Sequence, residues 1–268
     1  MDYILFEKKG RVGIVTFNNP DSLNALSSAA IAQTMRFFKD LEESIARGTD
    51  GDLRVLLLTG AGKAFISGAD VKEMRAMGQA EAERFSEEGN SLMREVESFP
   101  LPVIAAVNGY AIGGGFELAL CADFIYASSA AKFGFPEVTL GIIPGFGGTL
   151  RLAARIGPAR ARELLYTGRL VSAEEALRIG VANTVVEPER LLEASLQTAD
   201  AVRRAGPCAL RAAKRNLSEC ARLDAAAAAA LESLRFGLLF AGDEASEGLD
   251  AFLNKRKPKW EQEAHKNA

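Results

Sequence analysis

The chain has 268 residues, which at about 150 residues per domain is enough for one large domain, or for one domain with an appendage. Hydrophobic residues make up 48% and charged residues 25%, and the net charge is −3, so the chain is typical of a globular protein and carries no overall positive field for nucleic acid. No run of apolar residues reaches the length of a membrane span, and none is expected.

At the N-terminus, apolar residues alternate in two short runs on either side of KKGR. Residues 2–7 and 11–17 are therefore predicted to form a hairpin. The segment SSAAIAQTMRFFKDLEESIARG that follows is predicted to be a helix, with Ser27 or Ser28 as its N-cap. The apolar face of this helix would consist of Ile31, Met35, Phe38, Leu41 and Ile45.

The run RVLLLTG (54–60) is apolar throughout and predicts a buried strand. Asp70 is a candidate N-cap for a following helix, and Glu73 stands at the spacing of a capping box. A longer helix is predicted next, with an apolar face formed by Phe85, Leu92, Val96 and Phe99.

The middle of the chain alternates short predicted strands and helices. The strands are expected at 102–107, 123–127 and 182–186, and the helices at 114–121, 148–156, 159–167 and 172–179. Ser172 and Glu175 again have capping-box spacing. This alternation predicts an α/β architecture in which many strands pair in parallel.

Strand signals stop after about residue 189, and the remaining segments are helical: 189–205, 208–222, 225–240 and 244–254. Two parts are therefore predicted, an α/β core over residues 1–199 and a helical C-terminal region over residues 200–268.

Several kinds of catalytic site are disfavoured by composition. The one histidine, His265, lies close to the chain end, which argues against a Ser–His–Asp or Cys–His mechanism and against a His-based metal site. GAGKAF (60–65) follows a strand, but it is not a P-loop, and Phe65 stands where GxGxxG needs its third glycine.

The three cysteines are odd in number and include no CxxC pair, which disfavours a disulfide scaffold or a zinc site. Together with an N-terminus that lacks a long apolar segment, this predicts a protein of the reducing cytoplasm.

Three loops are unusually rich in glycine: GAGKAFISGAD (60–70), GYAIGGGFE (109–117) and FGFPEVTLGIIPGFGG (133–148). Glycine permits close backbone approach, although most such loops are only tight packing turns. Gly113–Gly115 open a predicted helix, whose first N–H groups favour negative charge. Glu117 and Glu137 follow in apolar sequence, either as a catalytic pair or as partners of arginines such as Arg151 or Arg155.

With these residues in place, the chain resembles the enoyl-CoA hydratase/isomerase (crotonase) family. The matching stretches cover nearly the whole chain: NNPDSLNAL (18–26), KAFISGADVKEM (63–74), PVIAAVNGYAIGGGFELALCADFIYA (102–127), AKFGFPEVTLGIIPGFGGTLRL (131–152) and EGLDAFLNKRKPKW (247–260). The resemblance implies a crotonase-like α/β spiral of ββα turns with a helical C-terminal trimerisation region. It also implies a homotrimer or a homohexamer built from two trimers.

The resemblance assigns an oxyanion hole to the backbone N–H groups of Ala69 and Gly114, and an acid/base pair to Glu117 and Glu137. Glu117 would hold and activate water, and Glu137 would transfer a proton at C2. Of the three glycines in the loop, Gly114 is expected to be sensitive because a side chain there would block the thioester carbonyl. Gly113 and Gly115 are expected to serve only the turn.

Contacts to the substrate or its CoA moiety are implied for a further set of residues: Ala25, Lys63, Ala64, Asp70, Val71, Lys72, Phe252 and Lys255. Phe252 and Lys255 would lie over the CoA of a neighbouring subunit, and Asp70 is expected mainly to cap its helix. No metal or separate cofactor is expected, since CoA belongs to the substrate. The acyl pocket is expected to include Met74, Met77, Phe116, Phe135 and Leu140.

Both glutamates are typical of the hydratases of the family, so hydration of a trans-2-enoyl-CoA to a 3-hydroxyacyl-CoA is predicted. Isomerisation, decarboxylation and hydration of a cyclic or branched enoyl-CoA remain alternatives, because the acyl pocket decides between them. RNA binding and a non-catalytic scaffold are less favoured, the first by the net charge and the second by the presence of both acids.

Overall fold

The structure is a computed structural model that describes residues 2–221 and 223–262. Within this part of the chain ten strands occur: β1 (Ile4–Lys9), β2 (Val12–Phe17), β3 (Val55–Gly60), β4 (Ala64–Ile66), β5 (Val103–Val107), β6 (Tyr110–Ile112), β7 (Phe124–Ser128), β8 (Lys132–Gly134), β9 (Val171–Ser172) and β10 (Thr184–Val186). His265 lies outside the described residues.

The same residues contain twelve α-helices: α1 (Ser28–Ala46), α2 (Val71–Met74), α3 (Gln79–Ser98), α4 (Gly114–Cys121), α5 (Gly148–Ile156), α6 (Pro158–Thr167), α7 (Ala173–Ile179), α8 (Leu191–Val202), α9 (Pro207–Cys220), α10 (Ala225–Leu239), α11 (Asp243–Leu253) and α12 (Lys259–Gln262). Short 3-10 helices cover Pro20–Ser22, Pro136–Leu140 and Pro188–Arg190.

The first sheet has six strands in the order β1-β2-β3-β5-β7-β10. The predicted hairpin is confirmed, because β1 and β2 pair antiparallel, and the other neighbours in this sheet pair in parallel. β3 and β5 are continuous apolar runs with almost no exposed residue, which is typical of parallel strands covered on both faces. The α/β prediction is therefore confirmed.

The second sheet was not predicted as a sheet. It consists of β4, β6, β8 and β9, and each of these strands has only two or three residues. Strands this short show no clear alternation, and their glycine-rich surroundings led to a prediction of loops. β4 and β6 carry the residues before two of these glycine-rich turns, so this sheet brings the turns together.

Helix ends follow the predicted caps only in part. Ser27 caps α1 and Ser172 caps α7, as predicted. Neither capping box forms, however: Glu73 instead accepts hydrogen bonds from the N–H and hydroxyl of Ser28, and Glu175 pairs with Arg169. Both acids thus connect neighbouring segments rather than closing their own helices.

The predicted boundary between residues 199 and 200 falls inside α8. Leu191 and Ala199 of this helix are buried against the first sheet, so α8 packs with the α/β core. The following helices expose many large apolar side chains: Leu234, Phe236, Leu238, Phe240, Leu249, Phe252 and Leu253. The division into two parts stays a prediction.

Among the described helices, none alone has the length and apolar character needed to cross a membrane. α10 and α11 taken together have that length and composition, but they are bent at 77° to each other.

Candidate active site

A cleft of about 850 Å³ opens beside the second sheet, between α2, α3 and the loop that follows the 3-10 helix Pro136–Leu140. Four of the predicted site residues face this one cleft: Ala69, Gly114, Glu117 and Glu137. They come from three segments that are far apart in sequence, and the parallel strands β4, β6 and β8 bring those segments side by side. All three glycine-rich loops therefore contribute to one site.

The backbone around Ala69 is fixed by an isolated bridge to Leu26. The N–H of Leu26 donates to the carbonyl of Gly68 at 2.8 Å, and the N–H of Asp70 donates to the carbonyl of Leu26 at 2.9 Å. No bond from the N–H of Ala69 or of Gly114 occurs among the loop, turn and cap hydrogen bonds of the described residues. Both residues line the cleft, so their N–H groups are candidates to bind an acceptor there.

The side chain of Asn24 holds the first glycine-rich loop (60–70) by hydrogen bonds to its backbone. This role of Asn24 was not predicted from the sequence. Asn24 is fully buried, and its Nδ2 lies within hydrogen-bond distance of the carbonyls of Ala61, Ala64 and Phe65, at 2.9–3.2 Å. The Asn24 Oδ1 accepts from the N–H of Asn19 at 2.7 Å. A buried amide that satisfies several backbone groups makes the loop rigid.

The three glycines of the GGG segment differ in what a side chain would meet at each position. A Cβ on Gly115 would lie 2.0 Å from the carbonyl oxygen of Ile66, so packing excludes any side chain there. Gly113 has φ = +51°, and a Cβ would lie 2.5 Å from Oε1 of Glu137. Gly115 is therefore required by a backbone contact as well as by the turn, whereas at Gly113 the positive φ favours glycine and the contact is with the end of a flexible side chain.

Gly114 is the least crowded of the three. A Cβ there would meet side-chain atoms of Phe146 and Leu26 at 3.1–3.3 Å. It would therefore press on Phe146 and Leu26. The expectation that it would also block the thioester carbonyl stays a prediction.

Glu117 lies in the first turn of α4 and is 1% exposed. Its Oε1 accepts hydrogen bonds from the N–H groups of Phe146 (2.8 Å) and Gly148 (2.7 Å), the second at the N-terminus of α5. Burial raises the pKa of Glu117 to about 7, although these two hydrogen bonds act in the opposite direction. The nearby charge of Glu137 adds to the rise.

Glu137 lies in the 3-10 helix Pro136–Leu140 and is half-buried. Its Oε2 is buried and has no hydrogen-bond partner within the described chain. Burial raises the pKa of Glu137 to about 7. The two acids thus differ in their surroundings: Glu117 is held by two donors, and Glu137 has a buried oxygen without a partner among the described residues.

The alternative in which Arg151 or Arg155 neutralises one of these acids is not what the structure shows. Arg151 binds Glu97 at 3.1 Å and the carbonyl of Phe146 at 2.8 Å. Arg155 binds the side chain of Asn183 at 3.2 Å. Within the described residues, neither arginine forms a salt bridge to Glu117 or Glu137.

Of the residues matched to substrate or CoA contacts, Val71 lines the cleft and is 56% exposed. Asp70 caps α2 as predicted, because its Oδ1 accepts from the N–H groups of Lys72 (2.9 Å) and Glu73 (3.2 Å). Ala64 is fully buried in β4.

The remaining matched residues lie outside the cleft lining. Ala25 is half-buried, and the side chains of Lys63 and Lys72 are exposed. Phe252 is 81% exposed on α11, and Lys255 follows this helix with φ = +51°.

The acyl lining was predicted only in part. Met74, Met77 and Leu140 face the cleft, whereas Phe116 and Phe135 stack on each other in the core, with ring centroids 4.7 Å apart. Phe85 and Phe146 line the cleft instead. Their contact joins α3 to the loop before α5, and no local sequence pattern indicates it.

No group of three or more His, Cys, Asp or Glu side chains with the spacing of a metal site occurs within residues 2–221 and 223–262. Cys121, Cys208 and Cys220 are free thiols.

Known proteins resemble the chain over almost its full length. The profile of the family described as enoyl-CoA hydratase/isomerase matches residues 7–263. The chain is 42% identical to the crotonyl-CoA hydratase of Syntrophomonas wolfei, covering 95% of this chain and 96% of the relative. It is 40% identical to the short-chain-enoyl-CoA hydratase of Clostridium acetobutylicum, covering 96% and 97%.

Among solved structures, the enoyl-CoA hydratase from Bacillus anthracis matches with a TM-score of 0.91 and 37% identity, covering 97% of this chain and 99% of that chain. The agreement of profile, sequence and fold over nearly the whole length shows that the chain belongs to the enoyl-CoA hydratase/isomerase family.

Proposed function

We propose that this protein is a hydro-lyase that adds water across the C2=C3 bond of a trans-2-enoyl-CoA to give a 3-hydroxyacyl-CoA. The observation that carries the proposal is the pairing of Glu117 and Glu137, a buried and a half-buried acid with raised pKa values in a single cleft. Hydration needs an acid and a base around one water molecule, and groups that titrate near neutral pH suit both roles.

The N–H groups of Ala69 and Gly114 would bind the thioester carbonyl as an oxyanion hole. Both face the cleft, and neither donates a hydrogen bond within the described loops, turns and caps. Negative charge develops on the carbonyl oxygen when hydroxide character adds at C3, and one such donor is worth about 3–4 kcal/mol in the transition state. The larger effect would come from these oriented donors rather than from the dipole of the short helix α4.

Glu117 would hold and activate the water, since its Oε1 is occupied by two backbone donors and Oε2 is left for a ligand. Two donors on one oxygen favour the ionised form, which a general base requires. Glu137 would transfer a proton to C2, because it lines the cleft and its unpaired buried Oε2 favours the protonated form. The two acids titrate as a coupled unit, so each apparent pKa belongs to the pair.

The lining favours an uncharged acyl chain. Its side chains include Met74, Met77 and Phe85, and no lysine, arginine or histidine lines the cleft within the described residues. An acyl chain that ends in a carboxylate would therefore find no cation there to pair with. We expect an apolar enoyl group to be preferred over a charged one.

Isomerisation of an enoyl-CoA is the second candidate within the family. It needs proton transfer between carbon atoms and no bound water, so one acid at the position of Glu137 suffices. The well-held Glu117 favours hydration.

A homotrimer, or a hexamer of two trimers, is proposed as the assembly. The exposed apolar side chains of α10 and α11, such as Phe236 and Leu238, support burial of these helices against another copy. In that assembly Phe252 and Lys255 would reach the CoA of a neighbouring subunit. Sedimentation velocity would give the mass of the assembly, and a monomer at micromolar concentration would contradict the proposal.

The oxyanion hole would polarise the carbonyl and the two acids would move the protons, so no metal or separate cofactor is proposed. We also propose a cytoplasmic location and no binding of RNA. Full activity after dialysis against EDTA, and no retention on RNA at physiological salt, are the expected results.

The deciding experiment is product analysis over a panel of enoyl-CoA substrates that differ in chain length, branching, terminal charge and double-bond position. Crotonyl-CoA should yield 3-hydroxybutyryl-CoA at a high rate. If the protein shifts the double bond of a 3-enoyl-CoA but adds no water to crotonyl-CoA, it is an isomerase instead.

A further inference from the structure

Three consecutive carbonyls of the loop that holds Glu117 are themselves hydrogen-bonded. The carbonyl of Gly145 accepts from Ser86 Oγ (2.6 Å) and Asn90 Nδ2 (2.8 Å). The carbonyl of Phe146 accepts from Arg151 Nη1 at 2.8 Å. The carbonyl of Gly147 accepts from backbone N–H groups in the first turn of α5. The loop is thus fixed at every peptide unit.

Asn90 binds one end of the peptide unit between Gly145 and Phe146, and the other end of that unit donates to Glu117. The carbonyl of Gly145 and the N–H of Phe146 belong to one trans peptide, so they point in opposite directions. Asn90 donates to the carbonyl, and Glu117 accepts from the N–H. Hydrogen bonds in such a chain polarise one another, so Asn90 strengthens the donor that faces the carboxylate.

Arg151 fixes the next peptide unit. Its guanidinium binds the carbonyl of Phe146 and also Glu97 of α3, which keeps it in place. A Cβ on Gly147 would lie 2.5 Å from Nη1, so the guanidinium lies tightly against the loop. The Arg151 Nε is buried and has no partner among the described residues. The guanidinium is thus oriented so that it binds the Phe146 carbonyl, although one of its own donors stays unsatisfied.

Both side chains lie outside the cleft. Asn90, Glu97, Gly147 and Arg151 line a second cavity of about 1290 Å³, and neither Asn90 nor Arg151 lines the cleft that holds the two acids. Any effect they have on the reaction must therefore pass through the loop or, for Arg151, through the attraction between its charge and Glu117.

We propose that Asn90 and Arg151 are positioning residues for the hydration, which act on Glu117 through the Gly145–Gly148 loop without touching the substrate. This proposal rests on the proposed function for its kinetic consequence, and on the hydrogen bonds of the loop for its structural basis.

The charged and titratable groups around Glu117 set the direction of the effect. Glu137 and Glu97 are acids, Arg151 is the nearby cation, and Cys121 donates its thiol to the carbonyl of Glu117. Loss of the Arg151 charge, or of the donor strengthened by Asn90, disfavours the ionised form of Glu117. The pKa of Glu117 should therefore rise, and less of the active base should be present at neutral pH.

The test compares Asn90→Leu, Arg151→Gln and Arg151→Lys with wild type. A weakened hydrogen bond to a charged group should lower kcat for crotonyl-CoA by roughly ten- to a hundredfold. It should also move the acidic limb of the kcat profile up by roughly half to one pH unit, with KM little changed. Arg151→Lys keeps the charge and one donor group, so it should recover part of both losses.

The matched control is Arg94→Gln. Arg94 is an exposed cation of α3 that lines the same second cavity and binds Ser91 rather than the loop. This change should alter neither kcat nor the acidic limb. If Arg94→Gln matched the effect of Arg151→Gln, a general charge effect would replace the proposal.

A second measurement does not need turnover. Glutamate labelled with ¹³C at the side-chain carboxyl allows NMR titration of Glu117, assigned by the signal lost in Glu117→Gln. The midpoint for Glu117 should be higher in Arg151→Gln and Asn90→Leu than in wild type. Unchanged midpoints in the folded variants would overturn the proposal, even if the protein hydrated no enoyl-CoA. If the Glu117 midpoints rise in the variants as expected but the wild-type protein hydrates no enoyl-CoA, only the proposed function is contradicted.

Discussion

The N–H of Phe146 donates a hydrogen bond of 2.8 Å to Oε1 of Glu117, although the two residues are 29 positions apart in the chain. This contact ties the start of α4 to the loop before α5. It leaves the other carboxylate oxygen of Glu117 for a ligand in the cleft that Glu137 also faces. The hydration proposed above depends on keeping these two acids in different hydrogen-bonding surroundings.

Replacing either acid by its amide should abolish most of the hydration. Glu117→Gln and Glu137→Gln should each lower kcat for crotonyl-CoA by roughly 10²–10⁴-fold, because an amide can neither accept nor deliver the proton. Stopped-flow or steady-state measurement of the loss of the conjugated enoyl thioester gives the rate. The exposed Glu88 on α3 provides a control, since Glu88→Gln should leave kcat unchanged. Wild-type rates in either amide variant would refute the assigned pair.

The buried carboxyl of Glu117 should make the protein less stable as the pH rises. Its pKa is about 7 in the folded state, against an ordinary value of 4.5, so the folded state holds the proton more tightly. Its contribution is fully present below about pH 4.5 and is lost as the pH rises to about 7, by about 3 kcal/mol.

Urea unfolding of wild type and Glu117→Gln at pH 5 and pH 8 measures this loss. The amide has no proton to lose, and its oxygen can still accept from Phe146 and Gly148. Glu117→Gln should therefore lose less stability than wild type between the two pH values. An identical loss in both proteins would show that Glu117 has an ordinary pKa.

The residue types of the site could be predicted from the sequence, but the way in which they are held could not. Glu117 is conspicuous because it is an acid in an apolar helix that begins with glycines. The bond from Asn90 to the carbonyl of Gly145 joins residues 55 positions apart, and it uses an ordinary polar residue on a long helix. No local pattern distinguishes such a residue from a solvated one.

The same limit explains the missing second sheet. Strands β4, β6 and β8 have three residues each, too few to show a period of two. The long helices and apolar strands could be predicted because their patterns extend over many residues. Short strands depend on neighbours that are distant in sequence, and those neighbours are known only once the fold is known.

Asp70 should contribute to stability more than to chemistry. Its Oδ1 accepts from the N–H groups of Lys72 and Glu73, so Asp70→Ala should cost about 1 kcal/mol of unfolding free energy through loss of this cap. Asp70→Asn should restore most of it, because the amide oxygen can cap in the same way. Thermal or urea unfolding gives the stability, and kcat for crotonyl-CoA should stay within a few-fold of wild type.

A large fall in the kcat of Asp70→Ala without a change in stability would contradict this role. In that case the carboxylate would act on the substrate or on the nearby N–H of Ala69. Asp70→Asn separates the two explanations, since it keeps the cap and removes the charge.

Alanine at each position of the GGG segment should separate folding from catalysis. Gly115→Ala should be the most destabilising, because its Cβ would lie 2.0 Å from the carbonyl oxygen of Ile66 and would force β4 away. Gly113→Ala should follow, since φ is +51° and Glu137 lies in contact. Gly114→Ala meets only side-chain atoms at 3.1–3.3 Å and should fold best.

Gly114→Ala should nevertheless lose activity, because the added Cβ would displace Phe146 and the loop that holds Glu117. Its Cβ presses on the ring of Phe146, which cannot retreat toward α3, because that ring already lies against Gly89 and Phe85. The loop must shift instead, and its N–H groups then fit Glu117 less well. Melting temperature and kcat together test this: a fold close to wild type with a clear loss of kcat is expected. A loss of stability as large as that of Gly115→Ala would show that the side chains around Gly114 yield no more easily than the Ile66 backbone next to Gly115.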